Sequence, residues 1–251
     1  MPQPLIAQLS MQDPLPDPQN AWGPGTPAPG LLAIGGGLST QRLLEAYRQG
    51  CFPWYSVGQP VMWWCTDPRM VLPVKEFRLH PSLKKPLKRW VARGEVSLRI
   101  DHQFAHVIQR CAQLPRKGQS GTWIVQEMIQ AYTELHRQGH AHSVEAWVDG
   151  ELIGGLYCVA IGHAIFGESM FSLRANGSKV ALAGLIALCR SQGVEWIDCQ
   201  QNTSHLASLG AKEIPRAEFL NHLAHAIQEK ELSWEFEPIY WSELWPSSSL
   251  K

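Results

Sequence analysis

The stretch SVEAWVDGELIGGLYCVAIGHAIFGESMFS, residues 143–172, reads as three strands in quick succession. β-Branched, aromatic and other apolar residues fill it, and turn residues break it in two places. The first break, Asp149-Gly150, suits a two-residue hairpin, whose central positions need positive φ. The strands predicted on this reading are Ser143 to Val148, Glu151 to Ile161 and His163 to Ser172. They are expected to pair antiparallel.

Upstream, a strand is expected near Glu95 to Asp101, then helices over roughly 102–113 and 124–138. The second helix carries Val125, Met128, Ile129, Tyr132 and Leu135 on one face. Downstream, a helix from about Lys179 to Arg190 has Leu182, Leu185, Ile186 and Cys189 on its apolar stripe, Ser178 as N-cap and Gly193 as terminator. It leads into VEWIDCQ (194–200) and a final helix from about Arg216 to Lys230. The expected fold class is α+β, with a mixed, mainly antiparallel sheet flanked by helices. Strand, two helices, three antiparallel strands, helix, strand, helix is the element order of the GNAT acyltransferase fold, and that likeness proposes acyl transfer.

A small N-terminal α/β domain is expected over residues 1–69, with the GNAT-like catalytic domain over 70–251. Residues 1–30 are crowded with Pro and Gly and read as an extended arm. Gly35-Gly36-Gly37 leads into a helix from about Thr40, with Ser39 as N-cap, Leu43, Leu44 and Tyr47 on its apolar face, and Gly50 ending it. The aromatic stretches CFPWY (51–55) and MWWCTDPR (62–69) follow.

Composition narrows the function. With 45% hydrophobic and 18% charged residues the chain is expected to be a soluble globular protein, and its 22 basic and 22 acidic side chains cancel. A polyanionic partner must therefore be met by a local patch. Lys84, Lys85, Lys88, Arg89 and Arg93, interrupted by Trp90, form the densest basic cluster. Among eleven tryptophans, Trp54, Trp63, Trp64 and Trp123 lie near glycine, proline or polar residues and are candidates to stack on a nucleobase. Six scattered cysteines without a CxxC pair point to reduced thiols in the cytoplasm. No leader-like N-terminus or membrane span is read, the longest apolar run being Val180 to Cys189, and a monomer is expected.

Several motifs fail. The GSK triplet at 177–179 lacks the upstream glycine of a phosphate-binding loop, and Ser169 lacks the second glycine of a nucleophile elbow. His140, His142 and Glu145 do not share a strand face, and Glu218, His222 and His225 read as a solvated helix face, so no metal is expected. The strand at 194–200 is different. Asp198 and Gln200 are predicted to emerge on one face with Val194 and Trp196, a base beside a hydrogen-bond donor. In an apolar run such groups are either satisfied core partners or are held for chemistry. Glu168, within FGESMFS, is a second carboxylate expected at the same cleft.

GTWI (121–124), AHSVEAW (141–147), GGLYC (154–158), FGESMFS (166–172), SKVAL (178–182), IDCQ (197–200) and SLGAKEIPR (208–216) together resemble the bacterial leucyl/phenylalanyl-tRNA-protein transferases. LLAIGGGLS, AYRQGCFPWY and WWCTDPR extend the likeness, which covers roughly residues 20–225. It implies transfer of Leu or Phe, and less readily Met, from tRNA to a protein beginning with Arg or Lys, marking it for the N-degron pathway. No coenzyme A, metal or ATP is implied, because the aminoacyl ester is already activated. By the same resemblance Asp198 would hold or deprotonate the incoming amine and Gln200 would orient the ester carbonyl. Trp54 and Trp123 would stack around the terminal adenosine, with Tyr47 and Glu168 nearby. Leu156, Ile165, Leu182, Leu185 and Ile197 would form the side-chain pocket. The basic cluster aligns only loosely with the family, and Lys84, Lys85, Lys88 and Arg89 are expected at the tRNA backbone on their charge.

One tension is internal to this reading: on a regular strand Ile197 points away from Asp198, so a bulge is required if both serve one site. The chain also departs from the family pattern. Gly37 replaces a usual aspartate, WWCTDPR stands where WWSPDPR is usual, and Cys158 replaces a glycine. Two other readings stay open. An acyl-CoA-dependent N-acetyltransferase would normally offer an RxxGxG/A turn, which Arg174 to Lys179 fits poorly. A noncatalytic tRNA-binding protein would leave Glu168, Asp198 and Gln200 unexplained.

Overall fold

The computed structural model describes residues 5–113 and 124–245, and folds them as mixed α/β around two sheets. The first sheet holds β1 (Ala7–Leu9), β2 (Leu31–Gly35), β3 (Phe52–Pro53) and β4 (Met62–Trp64) in the order β1-β2-β4-β3. Helix α1 (Thr40–Arg48) crosses between β2 and β3. The Ser39 side chain accepts the Arg42 N–H, as the expected cap should, and Gly50 follows with φ +74°.

The remaining elements follow in chain order: β5 (Arg69–Pro73), α2 (Pro81–Arg93), β6 (Val96–Ile100), α3 (Phe104–Gln113), α4 (Gln126–Arg137), β7 (Ala141–Val148), β8 (Glu151–Ile161) and β9 (Ala164–Ser172). Then come α5 (Gly177–Ser191), β10 (Trp196–Gln200), α6 (Ser204–Ser208), β11 (Lys212–Ile214) and α7 (Arg216–Ala226). Their strands make a seven-stranded sheet in the order β11-β5-β10-β9-β8-β7-β6. The three-strand expectation holds: β7, β8 and β9 pair antiparallel, and Asp149 and Gly150 turn the first hairpin at φ +53° and +78°. Within this sheet only β9 and β10 run parallel, at the join formed by the α5 crossover.

Sheet alternation sends side chains to two cores. Phe166, Val71 and Tyr157 face α1, α3, α4, α7 and the smaller sheet, while Ile165, Leu72 and Leu156 face α2 and α5. Helix α5 is more enclosed than its expected stripe: every residue from Val180 to Cys189 is buried. The C-terminal 3-10 helix Pro238–Leu244 helps to cover it, with Trp241 buried in the same core and Arg190 Nη1 donating to the Glu243 carbonyl at 2.7 Å.

Two expectations need correction. Helix α5 starts at Gly177 behind Asn176 at φ +67°, and Ser178 is inside it instead of capping it. The reason is packing: a Cβ on Gly154 would stand 2.5 Å from the Gly177 carbonyl carbon, so the first helical turn rests directly on β8. Strand β5, five residues that follow Pro68 and end at Pro73, was not anticipated, yet it lies between β11 and β10. Its prolines sit only at the border, where they do not interrupt the ladder. Among the described residues no helix is long and apolar enough to cross a membrane.

Candidate active site

The parallel pairing of β9 and β10 is short. It holds at Ile197 with Ile165 and at Asp198 with Phe166, after which the strands part. Gly167, Glu168, Ser169 and Met170 line one side of the opening, and Cys199, Gln200 and Gln201 the other. The resulting cavity of about 360 Å³ is floored by Leu72, Leu156, Leu182, Leu185 and Ile197, with Phe52, Pro53 and Trp54 at its rim. That size and lining suit an apolar side chain flanked by a few polar groups.

Asp198 and Gln200 do not share a face as expected. Pairing of β10 with β5 shifts register between them, Gln200 takes φ +56°, and Gln201 N–H closes back on the Cys199 carbonyl at 2.6 Å. This is a three-residue γ-turn centred on a non-glycine residue with positive φ, a conformation that costs on the order of 1–3 kcal/mol and persists only where its surroundings hold it. The turn breaks alternation. Gln200 swings to the cavity side with Ile197 and Cys199, and Asp198 stays on the opposite face, 3% exposed and outside the cavity lining. The tension over Ile197 is thereby resolved in favour of Ile197 and Gln200 together.

Asp198 is held by a fork. Arg69 Nε donates to Oδ1 at 2.7 Å and Nη2 to Oδ2 at 2.6 Å, and Oδ1 also accepts the Gln200 backbone N–H at 2.9 Å. Burial is the largest influence on the Arg69 guanidinium and lowers it, but the Asp198 charge and hydrogen bonds, with smaller contributions from Cys65 and Cys51, together outweigh it and hold Arg69 above its ordinary value. On the other side of Gln200, the Thr66 hydroxyl donates to its carbonyl at 3.0 Å. The Gln200 side-chain Nε2 is buried and has no hydrogen-bond partner among the described residues. A buried amide donor at the edge of a cavity is a costly feature unless a ligand oxygen meets it.

Glu168 sits where the cavity meets the helical core. Tyr47 donates to its Oε1 at 2.7 Å, the Tyr132 hydroxyl lies 3.3 Å from its Oε2, and the two tyrosine hydroxyls share a hydrogen bond. Burial raises its carboxyl to about 7, against the lowering pull of the Tyr47 hydroxyl and with the Asp198 charge adding to the rise. Burial, and next the Glu168 charge, push both tyrosines well above their usual value, so they remain donors.

A family profile described as "Leucyl/phenylalanyl-tRNA protein transferase" matches residues 71–224, and one for the N-terminal domain of the same family matches residues 36–67. The leucyl/phenylalanyl-tRNA–protein transferase of Polaromonas sp. is 52% identical over 97% of this chain and 95% of its own length. That of Albidiferax ferrireducens is 54% identical over 98% and 97%. The chain belongs to this family. Among solved structures, L-PGS from Bacillus licheniformis is a distant neighbour at TM-score 0.38 and 14% identity, covering 56% of this chain and 48% of that one.

With the family established, the residues singled out from sequence fall into four groups. Leu156, Glu168, Leu182, Leu185, Ile197, Gln200 and Trp54 line the cavity, whereas Ile165 is packed in the core beneath it and Tyr47 reaches it only through Glu168. Lys84, Lys85, Lys88 and Arg89 are exposed along α2, away from the cavity lining. Trp123 lies outside the described residues. Sequence reading missed Arg69, Thr66 and Tyr132 as site components. A signal existed: Arg69 and Thr66 both belong to the WWCTDPR stretch that carried part of the resemblance.

Proposed function

We propose that the protein moves leucine or phenylalanine, and less efficiently methionine, from aminoacyl-tRNA to an acceptor protein whose first residue is Arg or Lys. The observation that carries this reading is an apolar cavity with the unpartnered Gln200 amide at its edge, in a chain of the transferase family. The amino-acid side chain enters between Leu156, Leu182, Leu185 and Ile197, and Trp54 supports the terminal adenosine at the rim. The neutral acceptor amine attacks the ester carbonyl carbon, an amide bond forms as the ester C–O bond breaks, and the proton lost from the amine nitrogen ends on the leaving ribose oxygen, so the tRNA departs with its hydroxyl restored. Gln200 Nε2 donates to the carbonyl oxygen as negative charge gathers there; one such donor is worth roughly a hundred- to a thousandfold in rate. Glu168 attracts the acceptor's positive charge, and Asp198 serves as an anchor for the Gln200 turn.

An amine with an ordinary pKa of roughly 7.7–8.0 attacking an activated ester needs alignment more than a strong base. Backbone phosphates meet Lys84, Lys85, Lys88 and Arg89 of α2, which accounts for a basic cluster in an otherwise neutral chain. In this reading residues 70–251 act as a GNAT-like catalytic domain behind a small N-terminal domain, in a cytoplasmic monomer, and the product is destined for N-degron degradation. The test is direct. Incubated with leucyl-tRNA and a peptide beginning with Arg, the protein yields a Leu-Arg peptide identified by mass; no product beside an active control transferase overturns the proposal.

A further inference from the structure

Gln200 is held in an unfavourable turn from both ends, by Asp198 two residues before it and by Thr66, and the Arg69 that fixes Asp198 belongs to the same distant segment as Thr66. Asp198 Oδ1 accepts the Gln200 N–H, and Arg69 fixes that carboxylate through two parallel hydrogen bonds. The Thr66 hydroxyl donates to the Gln200 carbonyl. Arg69 is itself immobilised: it is fully buried, and its guanidinium carbon lies 4.4 Å from the Phe219 ring centroid and 4.9 Å from that of Phe52, a residue of the cavity rim. Lysine cannot reproduce this, because an ammonium offers a point charge in place of a planar fork.

We infer that Arg69 and Thr66 are positioning residues for the transfer reaction: acting through Asp198 and through the Gln200 carbonyl, they lock the γ-turn that aims the Gln200 amide into the cavity. The inference rests on the proposed role of Gln200 at the ester carbonyl. It assigns Asp198 a structural charge, engaged on its own side of the sheet, instead of contact with the amine. A proline, the residue usual at that position of the family motif, has no hydroxyl to donate, so this half of the clamp depends on Thr66.

The experiment is a double-mutant cycle with leucyl-tRNA and an Arg-initiated peptide. Arg69→Lys should keep KM for leucyl-tRNA within about twofold while kcat falls roughly ten- to a hundredfold, the scale of a misplaced reacting group. In a Gln200→Ala background the same change should cost less than about twofold, because the amide it positions is gone. Unchanged kcat in Arg69→Lys, or a loss that multiplies in full on Gln200→Ala, overturns the inference. Should Arg69→Lys fail to fold, Thr66→Val decides: a several-fold loss of kcat that vanishes on Gln200→Ala supports the clamp, and parental kcat overturns it. An inactive parent protein would instead sink the function proposed above, so the two failures are distinguishable.

Discussion

Asp198 and Glu168 are enclosed carboxylates on neighbouring strands, yet their charges are stabilised in opposite ways. Asp198 has a full counter-charge in Arg69 and a backbone N–H besides. Glu168 has two tyrosine hydroxyls and no ion pair among the described residues, and it lines the cavity that Asp198 does not reach. A compensated carboxylate shapes structure; an uncompensated one beside a cavity is poised to take up a proton or a ligand's positive charge. The comparison therefore divides two acids that sequence reading had assigned to one cleft.

The largest effect expected from breaking it is on folding. Asp198→Ala strands the fully buried Arg69 guanidinium without a counter-charge and should cost roughly 3–5 kcal/mol, read as a lower urea midpoint. The double variant Arg69→Met with Asp198→Leu, which removes both charges, should recover much of that loss but not transfer activity, since the Gln200 turn stays unpinned. Full recovery of activity would show that the pair is dispensable for the turn.

Glu168→Gln should sharpen the contrast through pH. In the folded protein this carboxyl keeps its proton up to about 7, against 4.5 for an ordinary Glu, so between those values the folded state holds more protons than the unfolded one. Parental stability should then fall as pH rises from about 4.5 to about 7, by a total on the order of 2–3 kcal/mol, and the Gln variant should lack that slope. On the proposed role of ionised Glu168 in attracting the acceptor, KM for an Arg-initiated peptide should decrease as pH rises through about 7 in the parent and stay flat in the variant. Identical pH profiles would remove Glu168 from acceptor binding.

The features legible in sequence were those set by local chemistry. Ser39 capping α1 and the Asp149-Gly150 hairpin depend on residues a few positions apart, and both stand as expected. The Asp198–Gln200 face was misread because alternation assumes a regular strand, and the irregularity is imposed from elsewhere. Arg69 is 129 residues from Asp198 and Thr66 is 134 from Gln200. The one local contribution is the Asp198 side chain accepting the Gln200 N–H two residues on, and the partners that fix Asp198 and the Gln200 carbonyl lie far outside VEWIDCQ. Glu168 was recognised as a polar residue out of place and Tyr47 was placed near it by the resemblance alone, but Tyr132 comes from α4, whose apolar stripe hid it as an ordinary core residue.

The smallest expected effect lies at the rim, where neither carboxylate takes part. Trp54 is 38% exposed, an open face for a large aromatic ring, and it is held from behind. Trp64 packs obliquely against it with centroids 5.5 Å apart and donates its Nε1 hydrogen to the Trp54 carbonyl at 2.7 Å. A ring so supported can stack on the terminal adenosine without first being ordered. Trp54→Ala should weaken leucyl-tRNA binding by about 1–3 kcal/mol, raising KM roughly tenfold or more, with kcat nearly unchanged. Trp54→Phe should restore most of the affinity because it keeps an aromatic face. The pH dependence attributed to Glu168 should persist in both variants, since its carboxylate is held by Tyr47 and Tyr132 and not by the rim. A fall in kcat at constant KM would instead mean that Trp54 aligns the ester, tying the rim to the Gln200 turn and erasing the separation between binding and alignment.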